Sequence, residues 1–314
     1  MNKKITHKSV MTEEVLSSLN LETGKTYIDA TVGAGGHSKA MLERCPDIKL
    51  IAIDQDESAI SIASNNLKKF SQSVSFYKTN FANIEQILRS NEIKEVNGIL
   101  FDLGTSQMQL NDHARGFSFK EKDPLDMRMN QSQEITAEKI LNTFSEYELF
   151  KIISQYGEER YSKKIARAIV NRRPLNNTKD LTNIILSIYS KNKSKIHPAT
   201  KTFQAIRIAV NKETEVLTEA LNKSLKLLKK PGGRLVVISF HSIEDRIVKT
   251  IFNKESAACI CTKELPICVC NHVATIKIIN KKIIKPSIKE IHNNPSSRSA
   301  RLRIAEIINK RKAS

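Results

Sequence analysis

The stretch TYIDATVGAGGH, residues 26–37, decides the fold that we expect for this chain. An apolar run ends at Asp29, a glycine-rich turn follows, and a helical pattern begins after the turn. Glycines at such a junction let the backbone turn tightly and approach a ligand closely. Asp54 ends the next apolar run, where a carboxylate can accept hydrogen bonds from both hydroxyls of a ribose. Together, the turn and the acidic residue predict a site for a nucleoside-bearing cofactor.

Short apolar runs alternate with helical patterns along the first third of the chain. The runs are TYIDATVG (26–33), KLIAIDQD (49–56), SVSFYKT (73–79) and VNGILFDLG (96–104), and RLVVISFH (234–241) follows much later. This alternation predicts βαβ units and a parallel sheet with helices on both faces. Two late segments, near 273–285 and 299–308, are expected to add a closing antiparallel pair. The predicted fold class is therefore α/β and Rossmann-like, with a mostly parallel sheet and an antiparallel edge.

The pattern changes after Gly104 to polar, loop-like sequence and then to helices without strands, as far as about residue 200. We therefore predict a core in two parts, 1–106 and 201–314, and an inserted all-helical, substrate-binding domain, 107–200.

Three local features of the helical sequence carry specific predictions. Ser145 and Glu148 form a capping box at the start of one helix, and Gly157 suits the left-handed residue that closes it. A single long amphipathic helix is expected from about Ile206 to Leu228.

The charge of the chain favours a polyanionic partner. The 51 Lys and Arg against 33 Asp and Glu give a formal net charge of +18. The alternative is a lysine-rich surface without a specific partner. No apolar run approaches the roughly 20 residues of a membrane span, and the amino terminus does not resemble a secretory signal. We expect a cytoplasmic protein without membrane contact, either a monomer or a dimer.

The glycine spacing distinguishes two classes of cofactor. A dinucleotide fold needs G-x-G-x-x-G, but Lys39 or Ala40 stands where the third glycine would be. S-adenosylmethionine has no phosphate and carries a sulfonium cation, so acidic residues suit it better. The sequence thus favours a methyltransferase over an NAD or FAD oxidoreductase. Under a purely structural interpretation, Gly35 and Gly36 merely end a strand and Asp54 caps the next helix.

Asp102 ends the fourth apolar run, where an open α/β sheet presents its reactive groups. Methyltransferases that act on amines commonly have D-P-P-Y here, whereas this chain has Asp102-Leu103-Gly104-Thr105. The difference indicates an unusual amine-binding loop or another acceptor atom. A DNA amino-methyltransferase and a catalytically silent RNA-binding module are the remaining alternatives.

The motifs taken together resemble one family from His7 to about Ile308. They are HKSVMTEEVL, DATVGAGGHS, IAIDQD, FDLGTSQMQL, RGFSFKEKDPLDMRMN, SQYGEERYSKKIARAIVNRR, HPATKTFQAIRIAVN, GGRLVVISFHSIEDRIVK and NPSSRSARLR. This pattern resembles the bacterial ribosomal RNA small-subunit methyltransferase H family, formerly called MraW. The resemblance implies a class I methyltransferase core with a helical insertion. It also implies N4-methylation of a decoding-region cytidine in 16S ribosomal RNA, within the small ribosomal subunit, and no DNA substrate.

The resemblance also implies the site residues. Cofactor contacts would fall on Gly35, Gly36, His37, Asp54, Phe81, Asp102 and Gln109. Catalytic roles are predicted for Asp102, Ser106 and Asp126. The chain departs from the family pattern at Ser9, Thr105, Gln107, Asn111, Asn130 and Ser296, which leaves details of the substrate loop in doubt.

Candidate substrate-binding residues follow the catalytic strand and continue into the insertion. They are Arg115, Phe117, Phe119, Arg128, Lys163, Arg167 and His241. Aromatic rings could stack on a flipped base, and cations could bind phosphates. The alternatives are a loop anchored to the core by its two Phe residues, an Asp126–Arg128 pair without catalytic role, and a merely solvated basic helix.

Four of the five cysteines lie close together in CICTKELPICVC, residues 259–270. Four thiolates could hold one zinc ion tetrahedrally. However, C-x-C places alternate side chains on one face of a strand and is less usual than C-x-x-C. The sequence therefore favours reduced thiols, and no metal is expected.

Overall fold

The computed structural model describes residues 9–105, 109–110, 112–119, 121–189, 197–262, 265 and 267–308. The chain forms two compact units. The sheet unit comprises Met1–Gly104 and Thr214–Ser314, and the helical unit comprises Thr105–Glu213.

The sheet unit contains a seven-stranded sheet. Its strands are β1 (Thr26–Asp29), β2 (Lys49–Asp54), β3 (Val74–Lys78), β4 (Gly98–Asp102), β5 (Arg234–Ser239), β6 (Ile276–Ile278) and β7 (Arg301–Ile307). The spatial order is β3-β2-β1-β4-β5-β7-β6, with the first five strands parallel and β7 antiparallel to both of its neighbours. The five predicted strands and the closing antiparallel pair are confirmed, as is the α/β fold class.

The helices lie before, between and after these strands. They are α1 (Thr12–Leu19), α2 (Gly36–Arg44), α3 (Glu57–Asn66), α4 (Ile84–Ser90), α5 (Ala137–Thr143), α6 (Glu146–Gly157), α7 (Ser162–Asn171), α8 (Thr178–Ile188), α9 (Ala199–Asn211), α10 (Glu213–Leu227), α11 (Ser242–Ser256) and α12 (Ile288–Asn293).

Two hydrophobic cores cover the two faces of the sheet. Successive strand residues point to opposite faces, so Ile51 and Ile53 pack with α4, α10 and α11, whereas Leu50 and Ala52 pack with α1, α2 and α3. This burial on both faces explains why the strands read as continuous apolar runs rather than as alternating ones.

The helical unit has its own core, built from α5 to α9. The predicted capping box of Ser145 and Glu148 is present at the start of α6. The prediction for Gly157 was wrong, because Glu158 supplies the left-handed residue with a φ of 48°. Gly157 is instead required by packing, since a Cβ there would lie 2.7 Å from the carbonyl oxygen of Lys201 in α9.

The long helix expected near 206–228 is two helices, α9 and α10. The backbone breaks at Lys212, which is left-handed with a φ of 50°. All of α9 therefore belongs to the helical unit, which ends at Glu213 rather than at residue 200. A substrate-binding role for this unit stays a prediction.

In the part of the chain that the structure describes, no helix is long and apolar enough to cross a lipid bilayer.

Candidate functional site

Three carboxylates mark the carboxyl ends of adjacent parallel strands. Asp29 ends β1, Asp54 ends β2 and Asp102 ends β4. The sheet order β2-β1-β4 places the change of winding direction between β1 and β4. Ligands of open α/β sheets bind outside the strand ends at such a switch point. The topology therefore puts the three carboxylates where a cofactor would bind.

Asp54 organises the glycine turn. Its Oδ2 accepts a hydrogen bond from Gly33 N–H (2.9 Å), and its Oδ1 accepts one from Asp56 N–H (2.9 Å). The cap of α3 is Asp56, whose Oδ1 accepts from Ser58 N–H (3.0 Å). Asp54 is thus not the helix cap of the alternative interpretation. Each of its oxygens has a further lone pair, which suits the two hydroxyls of a ribose.

The two glycines at the start of α2 are required for different reasons. Gly35 is left-handed, with a φ of 83°, and a Cβ there would meet Leu67 at 3.3 Å. A Cβ on Gly36 would collide with Oγ of Ser9 in the N-terminal segment. Both positions therefore require a residue without a side chain, for backbone conformation and for close packing.

Asp29 is buried and fully hydrogen-bonded. Its Oδ2 accepts from Ser38 Oγ–H (2.6 Å), and its Oδ1 accepts from Thr31 N–H (3.2 Å). Burial raises the pKa of this carboxyl, an effect that the Ser38 hydrogen bond partly opposes. Asp29 therefore fixes the turn between β1 and α2 and adds an acidic group beneath it.

His37 is buried between the N-terminal segment and Asp102. Its Nε2 lies 2.9 Å from the carbonyl oxygen of Val10, and because a carbonyl only accepts, Nε2 carries a proton. Its Nδ1 lies 3.4 Å from Asp102 Oδ2. The buried imidazole of His37 therefore lies between a backbone carbonyl group and the carboxyl group of Asp102.

The second oxygen of Asp102 is the most informative atom of the site. Asp102 Oδ1 is buried and has no hydrogen-bond partner among the residues that the structure describes. Burial raises the pKa of Asp102 to about 6, and the nearby His37 opposes this shift. Burial also raises the pKa of Asp54 to about 6. A ligand that brings positive charge or hydrogen-bond donors would stabilise the charged form of these buried carboxyl groups.

The remaining predicted cofactor contacts lie in both units. Phe81 packs edge-on against Phe101 of β4, with ring centroids 5.4 Å apart. Gln109 is buried and belongs to the helical unit. Ser106, a predicted catalytic residue, lies outside the described residues. The roles of these three residues stay predictions.

Asp126 and Arg128 form a two-pronged ion pair within the helical unit. Arg128 Nε donates to Asp126 Oδ1 (2.8 Å) and Nη2 donates to Oδ2 (2.7 Å). The hydrogen bonds from Arg128 outweigh desolvation and hold the pKa of Asp126 below its usual value. Arg128 also donates to the carbonyl groups of Gln131 and Gln133. These contacts match the structural alternative; the catalytic role of Asp126 and the substrate role of Arg128 stay predictions.

The other members of the loop are also held by the helical unit itself. Arg115 is buried, and its Nη2 donates to the carbonyl groups of Arg128 and Met129. Phe117 is buried in the core of the unit. Phe119 is partly buried and stacks on His197, with centroids 4.5 Å apart. Of these side chains, Phe119 is the one whose environment best fits stacking on a base.

The basic residues near α7 differ in whether their charged groups already contact another group of the helical unit. Lys163 is exposed, and Arg167 is exposed but lies 3.3 Å from Glu146 Oε1. Arg172 Nη1 donates to Ser187 Oγ at 3.1 Å. Arg173 is engaged differently, because its guanidinium donates to the carbonyl groups of Leu141 and Phe144. Arg173 therefore closes the end of α5 rather than extending a surface for phosphates.

His241 caps α11. Its Nδ1 accepts from Glu244 N–H (3.4 Å), and its Nε2 lies 3.0 Å from Glu244 Oε1. The cap gives His241 a structural function at the carboxyl end of β5. A contact with substrate stays a prediction.

A comparison with protein families assigns the chain. The model described as the MraW methylase family matches residues 4–308. The chain belongs to the MraW methylase family. A curated relative from Dehalococcoides mccartyi is 49% identical over 303 residues, which are 96% of this chain and 86% of the relative. Relatives from Finegoldia magna and Fusobacterium nucleatum are 44% and 48% identical; each match covers 96% of this chain and 98% and 97% of the respective relative. All three are named Ribosomal RNA small subunit methyltransferase H.

The cofactor of this MraW-family methylase is S-adenosylmethionine, and the strand-end residues fit it. The cofactor carries a sulfonium and an ammonium cation, and the site offers the carboxylates of Asp29, Asp54 and Asp102. Asp102 Oδ1 is a buried acceptor without a partner among the described residues. Burial already destabilises these carboxylates in their charged form. A phosphate-bearing dinucleotide would destabilise them further, because it would add negative charge beside them.

Two residues of the site were missed at the level of the sequence, and the first is Asp29. It was quoted as part of the glycine motif, but no role was assigned to it. The signal was present, because Asp29 ends its strand in the same way as Asp54 and Asp102 do. Val10 was missed for another reason: its backbone carbonyl, not its side chain, orients His37.

Proposed function

We propose that this chain methylates the exocyclic N4 amine of a decoding-region cytidine in 16S ribosomal RNA. The observation that carries the methyl transfer is the buried Oδ1 of Asp102, an unpartnered acceptor among the described residues, at the switch point of the sheet. The names of the relatives support ribosomal RNA of the small subunit as the substrate. The net charge of +18 supports a polyanionic substrate.

The amine of cytidine is a weak nucleophile because its lone pair is delocalised into the ring. The chain must therefore orient the amine in line with the methyl group that S-adenosylmethionine supplies when bound. Asp102 Oδ1 and the backbone carbonyls of Leu103 or Gly104 would accept the amine hydrogens. This arrangement replaces the D-P-P-Y motif that the chain lacks.

Charge stabilisation is the second contribution of Asp102. As the methyl group is transferred, its bond to sulfur breaks, a neutral thioether leaves, and positive charge develops on the amine nitrogen. The carboxylate of Asp102 would stabilise this charge until the nitrogen loses a proton to water. His37 is the positioning residue, because its Nδ1 lies 3.4 Å from Asp102 Oδ2 and leaves Oδ1 for the substrate. Val10 fixes the orientation of the imidazole.

A substrate panel tests this proposal. The untagged chain is incubated with methyl-labelled S-adenosylmethionine and with small ribosomal subunits, naked 16S ribosomal RNA or cytosine-containing DNA. We expect label in RNA, as N4-methylcytidine after digestion to nucleosides, and none in DNA. Label in DNA would favour a DNA amino-methyltransferase, and label on cytosine carbon or on ribose would contradict the role of Asp102. The same panel separates the intact subunit from naked RNA as substrate.

A further inference from the structure

Four cysteine side chains meet in the segment that joins α11 to β6. The sulfur atoms of Cys259, Cys261, Cys268 and Cys270 all lie within 4.8 Å of one another. Four of the pairs are closer still: 3.4 Å for 259–268, 3.7 Å for 259–270, 4.0 Å for 261–268 and 3.5 Å for 268–270. The cluster is separate from the strand-end carboxylates and takes no part in the proposed methyl transfer.

These separations fit a tetrahedron of thiolates around one ion. Zinc–sulfur bonds of about 2.3 Å place the sulfurs of a tetrahedral site about 3.8 Å apart. The four measured separations, 3.4 to 4.0 Å, lie on both sides of this value. They are far longer than a disulfide bond of about 2.05 Å, and all four cysteines are free thiols. An iron–sulfur cluster with several irons would hold its cysteines further apart.

Backbone amides point at the sulfurs across the cluster. Ile260 N–H donates to Cys270 Sγ, and Val269 N–H donates to Cys261 Sγ, both at 3.4 Å. Each of these bonds links one C-x-C pair to the other. Donors of this kind stabilise sulfur in its charged, metal-binding form.

None of the described residues from Ala257 to Thr275 is buried. The large apolar side chains that the structure describes between Cys259 and Cys270 are exposed, with Ile267 at 75% and Val269 at 68%. At its base, Thr275 N–H donates to the carbonyl group of Glu255 at 2.8 Å. The four sulfur atoms are the groups that meet in this segment, although Cys259 and Cys268 are themselves exposed. Small structures without a hydrophobic core are commonly stabilised by a metal.

The sequence favoured reduced thiols without a metal because each C-x-C pair was expected in a strand, but neither pair lies in one. A C-x-C pair in a strand would direct both thiols to one face, but both pairs lie in irregular backbone. The path of the backbone therefore brings the four sulfur atoms within 4.8 Å of one another, which spacing along the sequence does not reveal.

We propose that Cys259, Cys261, Cys268 and Cys270 bind one structural zinc ion. Binding displaces the thiol protons to solvent, so affinity falls as the pH is lowered. The ion fixes the segment between α11 and β6. Four protein ligands complete a tetrahedron and leave no open position for water, so the site is structural rather than catalytic.

Metal analysis of the untagged chain tests the proposal. The chain is purified under reducing conditions without chelator, and zinc is measured by mass spectrometry. We expect about one zinc per chain, loss of most of it in Cys268→Ser, and full retention in the matched control Cys45→Ser. Zinc that persists in Cys268→Ser, or a purified chain without zinc that takes up none on addition, would overturn the proposal. So would disulfides among the four cysteines in the intact mass.

Cobalt replacement gives an answer that does not depend on a variant folding. Added to the zinc-free, unaltered chain, Co²⁺ should produce the strong visible bands of a tetrahedral thiolate site and a thiolate charge-transfer band in the near ultraviolet. A weak spectrum typical of octahedral oxygen ligands would contradict the site. Calorimetric affinity for S-adenosylmethionine should be the same in Cys268→Ser as in Cys45→Ser, since the cluster does not contact the cofactor residues.

Discussion

At the scale of single residues, the catalytic role that we propose for Asp102 comes with a cost in stability. Burial raises its pKa from 3.8 to about 6, so the folded chain disfavours the carboxylate. A raised pKa means that the contribution of this group to stability is complete below about pH 4 and is lost as the pH rises through about 6. At pH 8 the buried charge therefore destabilises the chain when no ligand is bound.

The first prediction follows from the destabilising effect of the Asp102 carboxylate at pH 8. Asp102→Asn should increase the free energy of unfolding at pH 8 by on the order of 1–3 kcal/mol, because one pKa unit corresponds to about 1.4 kcal/mol and the side chain is partly exposed. The gain should vanish near pH 4. Urea unfolding of both proteins at the two pH values measures it. An equal or larger gain at pH 4 would show that the buried charge is not its cause.

The second prediction concerns the rate of methyl transfer in the same variant. Asp102→Asn keeps the shape of the side chain and removes its charge, so single-turnover transfer at saturating S-adenosylmethionine should fall by orders of magnitude. The wild-type rate should rise with pH as the carboxylate forms and then level off, with a midpoint below about 6 because the bound cation lowers the pKa of Asp102. A rate within about threefold of wild type, roughly 0.6 kcal/mol, would exclude an electrostatic role.

The third prediction concerns Asp54, which binds the glycine turn and is expected to bind the ribose. Asp54→Ala should weaken S-adenosylmethionine binding by on the order of 3–6 kcal/mol, because two ribose hydrogen bonds to a charged acceptor contribute about 1.5–3 kcal/mol each. Asp54→Asn keeps one acceptor oxygen and should lie between Ala and wild type. Calorimetric affinities that are equal in all three proteins would reject the ribose assignment.

At the scale of elements, the contact of α6 with α9 depends on Gly157. Gly157→Ala should reduce the free energy of unfolding by about 1–3 kcal/mol, because the new Cβ would lie 2.7 Å from the carbonyl oxygen of Lys201. Lys212→Gly is the control, since it relieves a left-handed backbone and should stabilise the chain slightly. Wild-type stability in Gly157→Ala would show that the two helices do not pack this closely.

Elements defined by local chemistry were predictable from the sequence. Strands buried on both faces are continuous apolar runs, so β1, β2, β4 and β5 could be placed, and with them the acidic residues at their ends. The break between α9 and α10 could not be seen. Asn211, just before the break, donates to the carbonyl of Met127 and accepts from Met129 N–H. These partners are more than 80 residues away, and neither Gly nor Pro marks the turn.

In the candidate site too, some features could be predicted from the sequence and others could not. The residues of the glycine turn and the strand ends follow from motif and position. The pairing of Asp126 with Arg128 was foreseen as an alternative, and its geometry, with Nη2 2.7 Å from Oδ2, could be seen only in the structure. The orientation of His37 toward Asp102 depends on the carbonyl of Val10, a backbone group that no residue type in the sequence indicates. The meeting of four sulfurs depends in the same way on the path of irregular backbone.

At the scale of the whole molecule, the excess positive charge raises the question of where RNA binds. The prediction is that the exposed residues Lys163, Arg167 and Arg172 of the helical unit bind phosphates. Replacing all three with Gln should weaken RNA binding and lower the log–log salt slope by about two to three, since each phosphate contact contributes roughly 0.7 to 0.9. Affinity for S-adenosylmethionine should not change.

A matched control removes the same charge from the sheet unit. Lys68, Lys69 and Lys94 are exposed there, and their replacement with Gln should leave the salt slope close to wild type. Equal slopes for the two triple variants would mean that the α7 residues contribute only general charge. Because Arg167 already pairs with Glu146, we expect the reduction of the salt slope to lie nearer two than three, at about 0.7 to 0.9 per phosphate contact.

Site-resolved mass mapping of 16S ribosomal RNA tests the central claim most directly. The RNA is taken from cells that lack the gene and carry either the wild-type chain or Asp102→Asn. We expect an N4-methyl group on one decoding-region cytidine with the wild-type chain, and its loss with Asp102→Asn at equal protein level. An unmodified cytidine amine with the wild-type chain, or full methylation with Asp102→Asn, would contradict it.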